Sequence, residues 1–303
     1  MRARFQARRG FTPADVIVVV VILALFLLFL MLMLPRRRES ARRLSCQQNL
    51  MQIGVALVLY DQDETHLPVV PELGAGAGQR GSSPLKALLE TLALSDFSEL
   101  AVTKTPRKKS AGVPVKEQPV RGFICPSDPN AKAGYFRAPI SYRANAGSTP
   151  DGRDGVFSPG RSLRLAAIED ADGLGFTAAF SERLAGNNQP ESRLENYAIA
   201  PGPLGAGGCP AGLSTWRGDA GASWFVADWQ STLYNHALTP NARPSCLSQG
   251  AATAYMGASS GHLGGANVLL FDGSVRFYSS GVDPKVWKEL ATPGLTTPGQ
   301  GAP

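Results

Sequence analysis

The sequence predicts an α+β protein in which one long N-terminal helix, membrane-spanning in its first half, packs on a β-rich globular head. Three observations predict it. Val16 to Leu34 carry no charged or polar side chain. The residues after this run recur at helical spacing. The last two thirds of the chain break into short strand-like runs separated by Gly, Pro, Asn and Asp.

The apolar run comes first. Its nineteen residues, at ~1.5 Å of rise each, give roughly 28 Å of helix, enough to span a bilayer. Arg36, Arg37 and Arg38 close it, and no small-residue cleavage pattern follows, so a secretory signal removed at its far end fits poorly. Arg8-Arg9 is reminiscent of a twin-arginine export signal, but the core is too long and too apolar and lacks the small-x-small exit. At the mouth of the run Thr12, Pro13 and Asp15 form a capping arrangement that favours a helix start.

"ESARRLSCQQNLMQIGVALVLYDQD" continues as helix, with Cys46, Leu50, Ile53, Leu57 and Tyr60 on one narrow apolar stripe that faces a core. Pro35 removes a donor and is expected to bend the helix without ending it. Residues 71–84 read as a flexible loop, "SPLKALLETLAL" as a short amphipathic helix, and residues 104–119 as a basic, proline-broken exposed insertion. The strand-like runs are "GFICPSD", "ISYRANAGS", "DGVF", "GFTAAFSE" and "ASWFVADW". "NVLLFDGSVRFY" predicts a hairpin with a two-residue turn at Asp272-Gly273, which sets Leu270 against Val275 and Val268 against Phe277. "DPKVWKELAT" gives a short terminal helix, and the Gly/Pro/Thr tail 293–303 is expected to be disordered.

Composition narrows the function. The net charge of +6 comes from the N-terminus: residues 1–43 hold nine arginines against Asp15 and Glu39, and the remainder is close to neutral. No basic stripe with interleaved aromatics is left to argue for a nucleic-acid partner. Arginines flank both ends of the apolar run, so charge does not set the topology. Four cysteines, Cys46, Cys125, Cys209 and Cys246, in a domain rich in Gly (33) and Pro (23) fit an oxidising compartment and up to two bridges. Their spacing is not that of a zinc site.

At this point the residues carry a resemblance. "RRGFTPADVIVVVVILALFLLFLMLMLP" is similar to the N-terminus of type IV prepilins and type II secretion pseudopilins. "ARRLSCQQNLMQIGVALVLYDQ", "FICPSDPNA", "SYRANAGS" and "GHLGGANVLLFDGSVRF" resemble a large prepilin-like bacterial family of unknown function whose members end in a His-x9-Asp-Gly motif, here His262 and Asp272-Gly273. The resemblance implies a leader, 1–10, cut after Gly10 by a prepilin peptidase, with methylation of the new amine on Phe11. It implies a helix over 11–62 that spans the inner membrane once at 16–34, and a pilin-like head over 63–292 outside the cytoplasm or at the cell surface. Asp15 then stands at the fifth mature position, usually Glu, which is thought to meet the charged N-terminus of a neighbouring subunit within the membrane. A buried carboxylate is costly unless paired, so an amine is a sensible partner. Asp in place of Glu, Pro13 in place of an apolar residue and a longer apolar run depart from the family pattern, so processing is better supported than polymerisation. The match of "FICPSD", with the core-facing position of Cys46, implies a Cys46–Cys125 bridge and leaves Cys209 to pair with Cys246.

Candidate chemistry is thin. His262 and Asp272, with Ser181 or Ser260 as nucleophile, suggest a catalytic set only if the strand between them folds back; as a strand it separates them by ~17 Å. Structural roles are expected instead: a turn for Asp272-Gly273 and a loop hydrogen bond for His262. Glu169, Asp170 and Asp172 in "IEDADG" resemble part of a calcium loop but lack the spaced ligand set, so a solvated turn is expected, with calcium as a minor reading and no resident metal or cofactor. The expected function is non-enzymatic: a pseudopilin-like, membrane-anchored assembly protein that packs with itself or with other pseudopilins. The alternative is a tethered, monomeric head that binds a ligand such as a glycan through exposed Trp216, Trp224 and Trp229.

Overall fold

The computed structural model describes residues 13–73, 82–94 and 117–294, with the side chains of 30–38, 90 and 92–94 outside the described set. The leader, the Gly10-Phe11 junction, residues 74–81 of the predicted loop, residues 104–116 of the basic insertion, and the tail from residue 295 also lie outside it. The chain divides into two compact units, Met1–Arg42 and Arg43–Pro303.

Helix α1, Pro13–Glu64, starts at the proline suited to a first helical position, carries Asp15 in its first turn and runs through Pro35. In the first unit its large apolar side chains from Val16 to Phe29 are all at least 50% exposed. Among the described residues no helix is long and apolar enough to cross a membrane. The last five side chains of the predicted 16–34 span fall outside those residues.

In the second unit the predicted stripe of α1 is buried: Cys46, Leu50, Ile53 and Leu57 lie in the main core, with Tyr60 half-buried at its margin. They face a five-stranded sheet of order β5-β1-β2-β8-β9, made of β1 Tyr142–Asn145, β2 Ala178–Glu182, β5 Leu233–Tyr234, β8 Gly265–Leu270 and β9 Val275–Ser279. All its pairings are antiparallel except β1 with β5. Gly54 permits the close approach, since a Cβ there would stand 3.1 Å from Leu269 Cδ1 of β8. Strand β8 is buried on both sides. Leu269 joins the core under α1, whereas Ala266, Val268 and Leu270 join a second cluster around Trp287 of the terminal helix, Pro284–Glu289. Asp283 caps that helix through the amides of Lys285 and Val286.

A smaller sheet, order β4-β3-β6-β7, is built from Trp216–Arg217, Tyr197–Ala200, Cys246–Ser248 and Ala254–Tyr255. The remaining α-helices among the described residues are Pro84–Leu94, Pro129–Lys132 and Leu165–Ala171. The α+β class and the predicted short helices are therefore present. Three predicted strands are not. "GFICPSD" folds as a 3-10 turn, Arg121–Phe123, followed by a bend at Ile124 and a turn at Pro126-Ser127 closed by Asp128 N on Cys125 O. "DGVF" lies in a bend and turn, and "ASWFVADW" makes two isolated bridges, at Ser223 and Val226; a positive-φ glycine (Gly152, Gly221) just ahead of each run turns the chain there.

The hairpin is present with its register moved by one residue. Leu269 faces Val275 and Asn267 faces Phe277, and Leu270 N donates to Ser274 O. The loop is therefore three residues, Phe271-Asp272-Gly273, closed by Gly273 N on Leu270 O with Gly273 at φ 82°. A tight turn ending in one left-handed residue satisfies Asp-Gly as well as a two-residue turn does, and Asp272 Oδ1 stabilises it by accepting from Ser274 N at 2.8 Å. The one-residue shift puts Val275 on the face of Leu269, in the core under α1, rather than on the face of Leu270.

Candidate functional site

The site forms where α1, β2 and two loops meet. The helix brings Cys46, and the turn after Phe123 brings Cys125, bridged to it at a Cα separation of 4.9 Å. Asn49, one turn along the helix, donates to Ile124 O at 3.0 Å, and Tyr142 OH donates to Cys46 O at 3.3 Å, so both sides of the bridge are held. Strand β2 ends in Glu182, two residues beyond the core ring of Phe180 and therefore on the same face. His262 enters from the 261–264 loop. A Cβ on Gly261 would stand 2.1 Å from Ser127 O, so this loop lies flush against the turn that carries Cys125. Gly261, Leu263 and Gly264 are exposed while His262 is buried, one residue beneath the surface.

The geometry is close. His262 Nε2 is 3.3 Å from Glu182 Oε1, and Cys125 Sγ is 3.7 Å from each. Glu182 is 2% exposed, a costly place for a carboxylate without donors. Asn267 supplies two: its amide N–H donates to Oε2 and its Nδ2 to Oε1, both at 2.9 Å. Gln47 Nε2 of α1 donates to Asn267 Oδ1 at 3.2 Å, so the network returns to the helix. His262 N donates to Ser260 Oγ, and Ser260 N to Asn241 Oδ1. Among the described residues, Cys46, Cys125, Glu182 and His262 form the one group of ligand-type side chains with an atom from each within 4.8 Å of the others.

Asp272 and Gly273 sit at the hairpin turn, at the other end of β8 from His262, so the two halves of the motif are not brought together. Ser181 donates to Asn267 O and Glu182 O within the sheet, and Ser260 accepts from the His262 amide; neither hydroxyl lies in a nucleophile–base arrangement. Glu169, Asp170 and Asp172 are exposed on and just after the Leu165–Ala171 helix. Asp15 lies in the first turn of α1, and Gly10 and Phe11 lie outside the described residues. Cys209 and Cys246 are bridged, Cα atoms 5.8 Å apart, fastening a loop to β6 of the small sheet.

The aromatic platform is a correction. Trp224 and Trp229 are 2% and 0% exposed, Trp224 Nε1 donates to Gln118 O, and only Trp216 is partly open. Large rings in this Gly/Pro-rich region fill the core that short strands leave open. A cleft of about 480 Å³ bounded by Ser148, Lys285, Lys288 and Thr292 contains none of the predicted site residues.

Sequence reasoning missed Glu182 and two buried arginines. Arg143 and Arg183 are almost wholly buried, and burial holds Arg143 well below its ordinary range and lowers Arg183 to about 10. Arg143 Nη1 donates to Trp229 O, while Arg183 donates to Gly257 O and Met256 Sδ. A signal existed for Glu182: an acid in phase with Phe180 on a strand ending points into the core.

No curated protein and no solved structure matches the chain. A family match covers residues 36–285, a span that holds both disulfides, Glu182, His262 and the Asp272-Gly273 turn and leaves out the first 35 residues. On that match the chain belongs to the family described as Protein of unknown function (DUF1559).

Proposed function

We propose that this chain is a non-enzymatic, pseudopilin-like assembly protein. A prepilin peptidase cuts it between Gly10 and Phe11 and methylates the new amine. The first half of α1 anchors it once in the inner membrane, with the disulfide-bonded head outside the cytoplasm. The observation that carries the reading is the contrast along one helix. From Val16 to Phe29 every large apolar side chain of α1 is at least half exposed, whereas Cys46, Leu50, Ile53 and Leu57 are buried in the head. Apolar surface of that extent is unfavourable in water and is covered by lipid or by the same helix of neighbouring subunits. Two disulfides fit an oxidising compartment. In an assembly Asp15 meets the Phe11 amine of a neighbour, a pairing that lowers the cost of an acid at the edge of the bilayer.

The test is the N-terminal mass of the protein recovered from native membranes. A chain that begins at methylated Phe11 is expected, and one that begins at Met1 would remove both processing and the role of Asp15. Cysteine pairs placed along residues 11–34 are then expected to cross-link subunits to one another; a processed chain that stays monomeric would reduce the proposal to a tethered head.

A further inference from the structure

The disulfide, Glu182 and His262 have the donor set of a tetrahedral metal site, and the distances between them fit one. A zinc-type ion with sulfur at ~2.3 Å and nitrogen or oxygen at ~2.0–2.1 Å has S···N and S···O edges of about 3.5 Å and an N···O edge of about 3.4 Å. Cys125 Sγ lies 3.7 Å from His262 Nε2 and 3.7 Å from Glu182 Oε1, and those two atoms lie 3.3 Å apart. Cys46 supplies the fourth corner, with every ligand atom within 4.8 Å of the others. We propose that opening the Cys46–Cys125 bridge converts this cluster into a divalent, zinc-class metal site ligated by Cys46, Cys125, His262 and Glu182.

The chemistry balances in two steps. A dithiol reductant gives two electrons and two protons: its own S–S bond forms, and the Cys46–Cys125 bond breaks to two thiols. The ion then displaces both thiol protons to solvent and is bound by two thiolates, the Glu182 carboxylate and neutral His262. The two states exclude one another, because a sulfur bonded to its partner is no thiolate. Two thiolates and an imidazole select zinc or cobalt over calcium or magnesium. The outer hydrogen bonds are already in place: Asn267 holds both carboxylate oxygens of Glu182, and Gln47 holds Asn267, as second partners do around metal-bound carboxylates. Access runs through the 261–264 loop, where His262 is the one buried residue between exposed neighbours.

The experiment uses the full chain in detergent, without a polyhistidine tag, and with Cys209→Ser and Cys246→Ser so that two thiols remain. It is reduced with a water-soluble phosphine, which takes the oxygen of water and leaves both thiols, and is titrated with cobalt(II). Expected is one equivalent bound with the intense visible bands of tetrahedral thiolate cobalt, displaced by zinc and absent from the oxidised protein. Affinity is expected to fall at least about tenfold in His262→Gln and Glu182→Gln, and about 10- to 100-fold in Asn267→Ala. Should the serine background not fold, the titration is run on the unsubstituted chain, where dependence on His262 identifies the site. The proposal is overturned by a reduced chain that gives no tetrahedral band, by a band indifferent to His262→Gln, or by a reduced chain that unfolds and is not refolded by zinc in circular dichroism.

Discussion

His236 lies face to face on Trp287, with ring centroids 3.9 Å apart and planes 17° apart, and its Nδ1 is 2.6 Å from the carbonyl oxygen of the same tryptophan. A carbonyl only accepts, so Nδ1 carries the proton and Nε2, 2.9 Å from Tyr234 OH, accepts from that hydroxyl. The ring is neutral and fully buried, and burial lowers its pKa from 6.5 to about 4. Below pH 6.5 the unfolded chain takes up a proton at this residue before the folded one does. Its contribution is therefore fully present above 6.5 and is lost as pH falls toward 4, by about 3 kcal/mol in all. Urea unfolding at stepped pH is expected to show that slope, and His236→Gln to flatten it; an unchanged slope in the variant assigns the effect elsewhere.

Asp128 behaves with the opposite sign. Its carboxylate accepts from Asn130 N, Ala131 N, Ser141 Oγ and Ala185 N, which ties the Pro129–Lys132 helix to the start of β1 and the segment after β2. Burial nevertheless raises its pKa, so its protonation favours the folded state as pH falls through that raised value. Asp128→Asn turns an amide donor toward one pair of these donors and is expected to cost about 3 kcal/mol at pH 7, read from the shift in the denaturant midpoint.

Gly261 sets the position of His262. An added methyl stands 2.1 Å from Ser127 O, so Gly261→Ala is expected to push the 261–264 loop off the Cys125 turn at a cost of about 1–3 kcal/mol. The same displacement uncovers the Cys46–Cys125 bridge. Thiol labelling after timed reduction should show it opening faster than in the parent, while the Cys209–Cys246 rate stays unchanged.

The second bridge closes a separation of 37 residues. Chain entropy alone assigns such a loop about 4 kcal/mol. Replacing both Cys209 and Cys246 with serine is expected to lower the unfolding free energy by up to this amount; a loss below about 1 kcal/mol would mean that the unfolded chain is already restricted there.

What could be read beforehand followed from periodicity. The stripe from Cys46 to Tyr60 needs only a helix and a core, and it is buried from Cys46 to Leu57, with Tyr60 half-buried at its end. The hairpin was legible but its phase was not, because Asp272-Gly273 fits either a two-residue turn or the left-handed end of a three-residue loop. The difference is set by Phe271, which stays in the core while its N–H pairs with Thr177 O. The small sheet has strands of two to four residues, too short for alternation to register. His262 was singled out as a loop residue without its partner Glu182, since a pairing across 80 positions of chain leaves no local trace.

The Cys46–Cys125 bridge also fixes where a pull on the protein is felt. Tension drawn along α1 from its N-terminal end reaches Cys46 before any later turn of the helix, and there it passes through a covalent bond into the turn beside β1 and the sheet beyond. Residues 47–64 are then shielded, and their packing on Leu269 and its neighbours carries no load while the bond is intact. Once the bond is opened, the same pull peels α1 from the sheet turn by turn, so the state of two sulfurs decides whether the head is towed as one body or unzipped.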